Sequence, residues 1–316
     1  MKYIQNNQDL VNWMKVMRMS QGFFFISAMP VLLGAALLYM HHGKFNLLFT
    51  ILILIGCLLF HLGADMINEY YDHISGNDAL VDIHTPFSGG TRVLEEGKLA
   101  PKRVLHMSYL FFFLGTMGSA VIAYFTRIEV IIFAFAGLIS CWGYSAPPLK
   151  FAHRGLGEII IFLNNGLFII SAIYLAIHGQ LEWEIILPSA FLGFLGFAII
   201  LMNEVPDINA DRPVGKNNLI VRLGVKKGII LQRIMIVCSF TCLITAIILA
   251  HIPYWGLLAL IFPLSLLIKG RFTLPPSEDL QNPNRLTELC KDTIKLKFNS
   301  WILLMIGFGC FFLFEK

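Results

Sequence analysis

Two short stretches carry the residues best able to do chemistry, NEYYDHISGND from Asn68 to Asp78 and NEVPDINAD from Asn203 to Asp211. Each sets an amide and an acid four residues apart, Asn68 with Asp72 and Asn203 with Asp207, and then adds a further acid, Asp78 or Asp211. With 15 Asn and 9 Asp among 316 residues, chance supplies only about 0.4 Asn-x-x-x-Asp pairs, whereas this chain has two, each following an apolar run. On a helix Asn68 and Asp72 share a face with Asp65 one turn earlier, and Asn203, Asp207 and Asp211 share a face in the same way. Facing one another, the clusters make a hard-oxygen site suited to Mg²⁺, which takes one or two protein carboxylates and leaves its other positions to water and phosphates. Arg92, Lys216 and Arg222 lie on the same two loops as the acids. An anion held by Mg²⁺ and basic side chains together suggests a diphosphate. Taken singly, each of these residues is more often an ordinary interfacial charge; their duplication is what points to a site.

A third stretch, YSAPPLKFAHRGLGE, runs from Tyr144 to Glu158. Pro147 and Pro148 end a helix by removing backbone donors, which leaves Tyr144 at the end of the expected cavity with Lys150 and Arg154 just outside it. The plainer account is an interfacial aromatic with snorkelling cations. Asn164 and Asn165 lie inside an apolar run, where an amide either lines a cavity or hydrogen-bonds between helices. His61 reads as a packing or network residue.

Composition fixes what must position these groups. At 57% hydrophobic and 14% charged, with 27 Phe, the chain is an integral membrane protein, since soluble domains average about 25% charged residues. Apolar runs close to the length of a bilayer core recur at 22–40, 47–64, 104–126, 130–149, 159–177, 185–202, 234–252, 253–268 and 298–314. The expectation is a single all-α domain over 1–316, with an interfacial arm at 1–21 and nine transmembrane helices over 22–314. The eighth is short and contains Pro263. No cleavable leader is expected at the N-terminus, so the first span is retained. With the N-terminus cytoplasmic, 21 of the 24 Lys and Arg fall on one side, and only Lys44, Arg127 and Lys316 on the other. Both acidic motifs then open at a cytoplasmic mouth, four helices apart, as in a parallel repeat. The basic residues form no nucleic-acid-binding run. The six cysteines make no CxxC pair and read as packing residues.

These motifs, in this order and on this side, together with SGGTRVLEEGKLAP after the first and RPVGKNNLIVRLG after the second, resemble the UbiA superfamily of intramembrane aromatic prenyltransferases. The resemblance covers nearly the whole chain. It is strongest to the branch that prenylates 1,4-dihydroxy-2-naphthoate in menaquinone biosynthesis. It implies a nine-helix UbiA-type bundle in the cell (inner) membrane and Mg²⁺-dependent transfer from a polyprenyl diphosphate to a small aromatic acceptor. It further implies metal ligation by Asn68, Asp72, Asp78, Asn203, Asp207 and Asp211. Asp72, Asp207 and Tyr144 are the expected catalytic residues; Asn68, Arg92, Lys150, Arg154, Asn203, Lys216 and Arg222 are expected to bind substrate. The chain departs from the family pattern at Glu69 and Glu204, where Asp is usual, and at Met19, where an Arg-Pro pair is common. Other acceptors of the family (4-hydroxybenzoate, homogentisate, a lipid headgroup) remain alternatives. A secondary transporter is the rival of another class; it predicts ionisable groups or broken helices near the midplane.

Overall fold

The computed structural model describes residues 2–19, 24–82, 85–272 and 282–315. Among them the chain is helical, with one isolated bridge between Thr85 and Ser88. The arm forms α1 (Lys2–Val16). Residues 20–23, which include the expected start of the first span, lie outside the described residues. Then follow α2 (Phe24–His42), α3 (Leu47–Ser75), α4 (Pro101–Phe125) and α5 (Val130–Gly143). The second half has α6 (Gly157–Asn164), α7 (Leu167–Ile173), α8 (Ile186–Glu204), α9 (Ile208–Asp211), α10 (Leu219–Leu223), α11 (Val225–Ile248), α12 (Ile261–Ile268) and α13 (Pro283–Phe314).

Seven of the helical segments are long and apolar enough to cross a bilayer, and the chain is a multi-pass membrane protein. Among the described residues, seven of the nine expected spans are of this kind. The fourth and eighth expected spans are shorter helices, Val130–Gly143 and Tyr254–Ile268. The fourth stops ahead of Pro147 and Pro148, and the eighth begins as a 3₁₀ turn after Pro253 before becoming α12. Pro263 falls in the first turn of α12, where a missing N–H costs nothing.

Local signals explain the element that carries the first motif. Asn46 caps α3 by accepting the Phe49 N–H at 3.0 Å, and Gly76 ends it in the left-handed region at φ 77°. The helix therefore runs 29 residues, past the expected end at 64, and its last two turns present Asn68 and Asp72 together. The most enclosed helix is α8, with Phe191, Leu192, Leu195, Ala198 and Leu201 all fully buried. Between apolar helices in lipid, association rests on close van der Waals packing, so small residues matter. Gly193 of α8 touches α6 so closely that a Cβ there would lie 2.6 Å from the Phe162 carbonyl oxygen.

The fifth span is broken at Asn165 and Gly166, between α6 and α7. A broken helix inside the membrane is what the transporter reading predicts. Here, however, the side-chain amides at the break are engaged by neighbouring helices. Asn164 and Ser140 of α5 exchange hydrogen bonds at 2.8 and 3.1 Å, and Asn165 Oδ1 accepts from Lys297 Nζ of α13 at 2.7 Å. A Cβ on Gly166 would sit 2.1 Å from the Ser189 carbonyl oxygen, a backbone atom held by α8. Gly166→Ala is therefore expected to cost about 1–3 kcal/mol through overpacking. Its apparent melting temperature in detergent should fall by several degrees; an unchanged melt would mean that the break is not tightly packed.

Candidate active site

A cavity of about 280 Å³ opens among the ends of α3 and α8 and continues between apolar walls. Its polar end is lined by Asn68, Asp72, Asn77, Asp78, Asn203, Glu204, Asp207, Asp211 and Lys216, and its deeper walls include Phe60, Phe133 and Phe168. The structure thus brings together all six residues of the two motifs. They are carried differently from the expectation of two continuous helical faces. Asp78 sits on a 3₁₀ turn after the α3 cap, and α8 ends at Glu204, so that Asp207 precedes the short α9. Pro206, which has no N–H to donate, stands in that interruption.

Bonds across the two halves hold the clusters face to face. Asn77 Nδ2 donates to Asp211 Oδ1 at 2.8 Å, and Asn218 Nδ2 donates to Asp211 Oδ2 at 2.7 Å. Lys216 Nζ lies between the motifs, donating to Asp72 at 3.2 and 3.3 Å and standing 3.6 Å from Asp211. Asn68 Nδ2 donates to Asp72 Oδ2 at 2.9 Å and its Oδ1 accepts from Ser145 Oγ at 2.7 Å. The SGGTR loop closes over this end. Glu69, fully buried, accepts from both the N–H and the hydroxyl of Thr91, and Gly89 N–H donates to Asp207 Oδ2 at 3.3 Å. Gly90 is required there, because a Cβ would lie 2.5 Å from Asp78 Oδ2 and its φ is +68°.

Electrostatics follow from that burial. Asp78 is pushed up to about 8 by burial and then by the charges of Asp72 and Glu69, and Asp207 to about 7 by burial and the neighbouring Asp211. Asp211 is raised as well, chiefly by burial. Burial pulls the Lys216 ammonium down, but Asp72, Asp211 and Asp207 together outweigh it and hold it well above the usual lysine range. Six carboxyl groups line the cavity (Asp65, Asp72, Asp78, Glu204, Asp207 and Asp211), against two side chains with permanent positive charge, Arg18 and Lys216. Buried oxygens Asn203 Oδ1 and Asp207 Oδ1 have no hydrogen-bond partner. Unpartnered hard oxygens in an excess of negative charge fit a divalent cation such as Mg²⁺.

A family model described as the UbiA prenyltransferase family matches residues 27–287. The chain belongs to this family. UbiA membership and prenyltransferase relatives make it a prenyltransferase enzyme. The 1,4-dihydroxy-2-naphthoate octaprenyltransferase of Escherichia coli (strain K12) is 25% identical over 284 residues, covering 88% of this chain and 89% of the relative. The 2-carboxy-1,4-naphthoquinone phytyltransferase of a Synechocystis strain is 24% identical over 292 residues, covering 90% of each. The solved UbiA homologue of Archaeoglobus fulgidus, bound to GPP and Mg²⁺, superposes with a TM-score of 0.62 at 15% identity, covering 93% of this chain and 99% of that one.

Within this UbiA bundle the sequence-expected basic residues separate. Lys216 lines the cavity, as does Tyr144, the half-buried residue that follows α5. Arg92, Lys150, Arg154 and Arg222 do not line it. Arg222 donates to the carbonyls of Asn217 and Arg154 at 2.7 and 2.8 Å, Arg154 donates to the Pro148 carbonyl at 2.7 Å, and Arg92 reaches Glu96 at 3.8 Å. These arginines tie surface loops together. Lys150 takes a left-handed backbone at φ 43°, at the turn after the Pro pair. Arg18 was missed by the sequence reading. Val16, Trp13 and Met17 pack the arm against Met66, Val93, Leu94 and Leu99, and this brings Arg18 to the cavity wall, 3.8 Å from Glu69. Its only sequence signal is being the last cation before the first span. His61 is the expected network residue, 2.9 Å from Ser27 Oγ and 3.4 Å from Asp65.

The raised carboxyls set a direction for metal binding. A carboxyl held at about 7 or 8 keeps its proton below that pH, and a divalent ion needs the carboxylate. Affinity for Mg²⁺ should therefore weaken as pH falls from 8.5 to 6, with protons released on binding. Calorimetry in two buffers of different ionisation enthalpy measures both; an affinity flat across that range would contradict these shifts.

Proposed function

We propose that this protein transfers a polyprenyl group from polyprenyl diphosphate to 1,4-dihydroxy-2-naphthoate, with Mg²⁺, at a cytoplasmic mouth of the cell membrane. The observation that carries the reading is Lys216 Nζ bridging Asp72 and Asp211, acids from distant parts of the chain, at the head of an apolar cavity. One cation joining both motifs matches a site built to hold one small polyanion together with its counter-ions. Support for the acceptor comes from relatives at about 25% identity that are named naphthoate prenyltransferases. The bias of Lys and Arg to the side of the motifs supports the orientation.

In this proposal Asn68, Asp72, Asp78, Asn203, Asp207 and Asp211 hold the divalent ions. When bound, these supply Lewis-acid stabilisation of the charge that develops on the leaving diphosphate. Lys216 and Arg18 then bind the phosphate oxygens as direct cations, replacing their present carboxylate partners. The allylic carbon–oxygen bond breaks with its electron pair going to the diphosphate. Phe60, Phe133, Phe168 and Tyr144 line the cavity that keeps water from the resulting cation, and their negative ring faces stabilise it. A ring carbon of the acceptor donates its π pair to form the new carbon–carbon bond, and then releases its proton, or its carboxylate as carbon dioxide, with the bonding pair returning to the ring to restore aromaticity. The long apolar tail lies along the cavity and out between helices into lipid.

In proteoliposomes given a polyprenyl diphosphate and the naphthoate, Asp72→Ala and Asp207→Ala should each lower prenyl transfer by at least 100-fold while leaving the melting profile intact. Full turnover by either variant would refute the metal assignment. Transfer to 4-hydroxybenzoate in preference to the naphthoate would refute the acceptor.

A further inference from the structure

A second cluster of metal-type ligands lies at the other end of the bundle, and the reaction makes no use of it. His41 and His42 end α2, and Glu182 lies in the loop before α8. The α3 helix that starts five residues after His42 rises about 38 Å between Leu47 and Asp72 at 1.5 Å per residue, so these side chains sit at the membrane face opposite the acidic mouth. One ring nitrogen of each histidine and one carboxylate oxygen of Glu182 fall within 4.8 Å of one another.

We propose that His41, His42 and Glu182 bind a divalent transition ion of the Zn²⁺ class. The wiring behind the three groups is that of a ligand set. His41 Nε2 is 3.0 Å from the His251 carbonyl oxygen, so that nitrogen carries the proton and the Nδ1 lone pair, now 2.9 Å from the Tyr174 hydroxyl, is left for another partner. A metal-ligating histidine usually donates its other ring N–H to such a carbonyl, which fixes its tautomer and orientation. Glu182 is oriented too. Lys44 Nζ donates to His178 Nδ1 at 3.1 Å, and His178 Nε2, also 3.1 Å from Gln180 Nε2, stands 3.0 Å from Glu182 Oε1. The other oxygen, Glu182 Oε2, faces His42 Nε2 at 2.8 Å.

Bond lengths of about 2.0–2.2 Å in tetrahedral geometry place ligand atoms about 3.3–3.6 Å apart, so a pair at the 4.8 Å limit closes by a little over 1 Å on binding while the His42 Nε2 and Glu182 Oε2 pair, now at 2.8 Å, opens. Half-exposed side chains on a helix end and a loop can make that shift. Two imidazoles and one carboxylate suit Zn²⁺ and disfavour Mg²⁺, which the oxygen-only mouth prefers. The ion would tie the end of α2 to the segment joining the fifth and sixth spans, and would stabilise the far end of the bundle.

The test uses full-length protein without a polyhistidine tag, in detergent, with Mg²⁺ saturating. Equilibrium dialysis against low-micromolar Zn²⁺ should leave one Zn²⁺ per chain and raise the melting temperature. His42→Gln and Glu182→Gln should lose both effects and retain prenyl transfer, while Asp72→Asn keeps the Zn²⁺. Co²⁺ in the unmutated protein should give visible absorption bands of a nitrogen-ligated ion, a readout independent of how the variants fold. Absence of stoichiometric Zn²⁺, equal Zn²⁺ on His42→Gln, loss of it on Asp72→Asn, or Co²⁺ without such bands would each overturn the proposal.

Discussion

Too much negative charge in too little water governs this structure. Six carboxyl groups line one cavity with two cations of permanent charge, and one of these, Lys216, is pulled between acids of both halves. Burying carboxylates without counter-charge is among the most costly arrangements a protein can adopt. The surrounding chain relieves part of that cost by raising the pKa of Asp78 and Asp207 and part by amide donors to Asp72 and Asp211, and leaves oxygens of Asn203 and Asp207 without partners. A site that remains short of positive charge after these devices is one that gains free energy by taking up cations. That is the physical basis for the proposal that Mg²⁺ and a diphosphate assemble together here.

The second constraint is precise placement in a setting where lipid gives helices little hydrophobic reason to associate. The glycines of α8 and the break at Gly166 bring backbones close, and buried polar pairs such as Asn164 with Ser140 fix which faces meet. Glu69 belongs to this layer. Its side chain reaches the Thr91 backbone, clamping the SGGTR loop so that Gly89 and Gly90 lie against Asp207 and Asp78. It lies beside the metal-type ligands and acts on the loop.

Much of this was legible from the sequence because membrane insertion and hard-oxygen chemistry both leave local marks. The duplicated Asn-x-x-x-Asp spacing marks Asn68, Asp72, Asn203 and Asp207; Asp78 and Asp211 are further acids of the same stretches, and all six line the one cavity. Charge asymmetry sets both motifs on one face. Tyr144 and Lys216 were found for similar reasons, lying next to a proline break and to the second motif. What failed depended on tertiary placement. Arg154 and Arg222 are near the motifs in sequence, yet left-handed turns at Lys150 and Gly155 direct them to loop carbonyls. Arg18 is 50 residues from the motif it joins, and only the fold-back of the arm brings it there. Hydropathy measures an apolar run and not the helix within it, so the fourth and eighth expected spans appear as helices shortened beside prolines.

The account stands on the two acidic clusters acting as one site. A double-mutant cycle on the affinity for a non-hydrolysable thio analogue of the prenyl diphosphate, in Mg²⁺, tests this most directly, using Asp72→Asn, Asp211→Asn and the pair. If both clusters grip one diphosphate, the double variant binds scarcely more weakly than either single variant, a coupling of at least about 1 kcal/mol. Losses that simply add, or a single variant that binds the analogue as tightly as the unmutated protein, would contradict it.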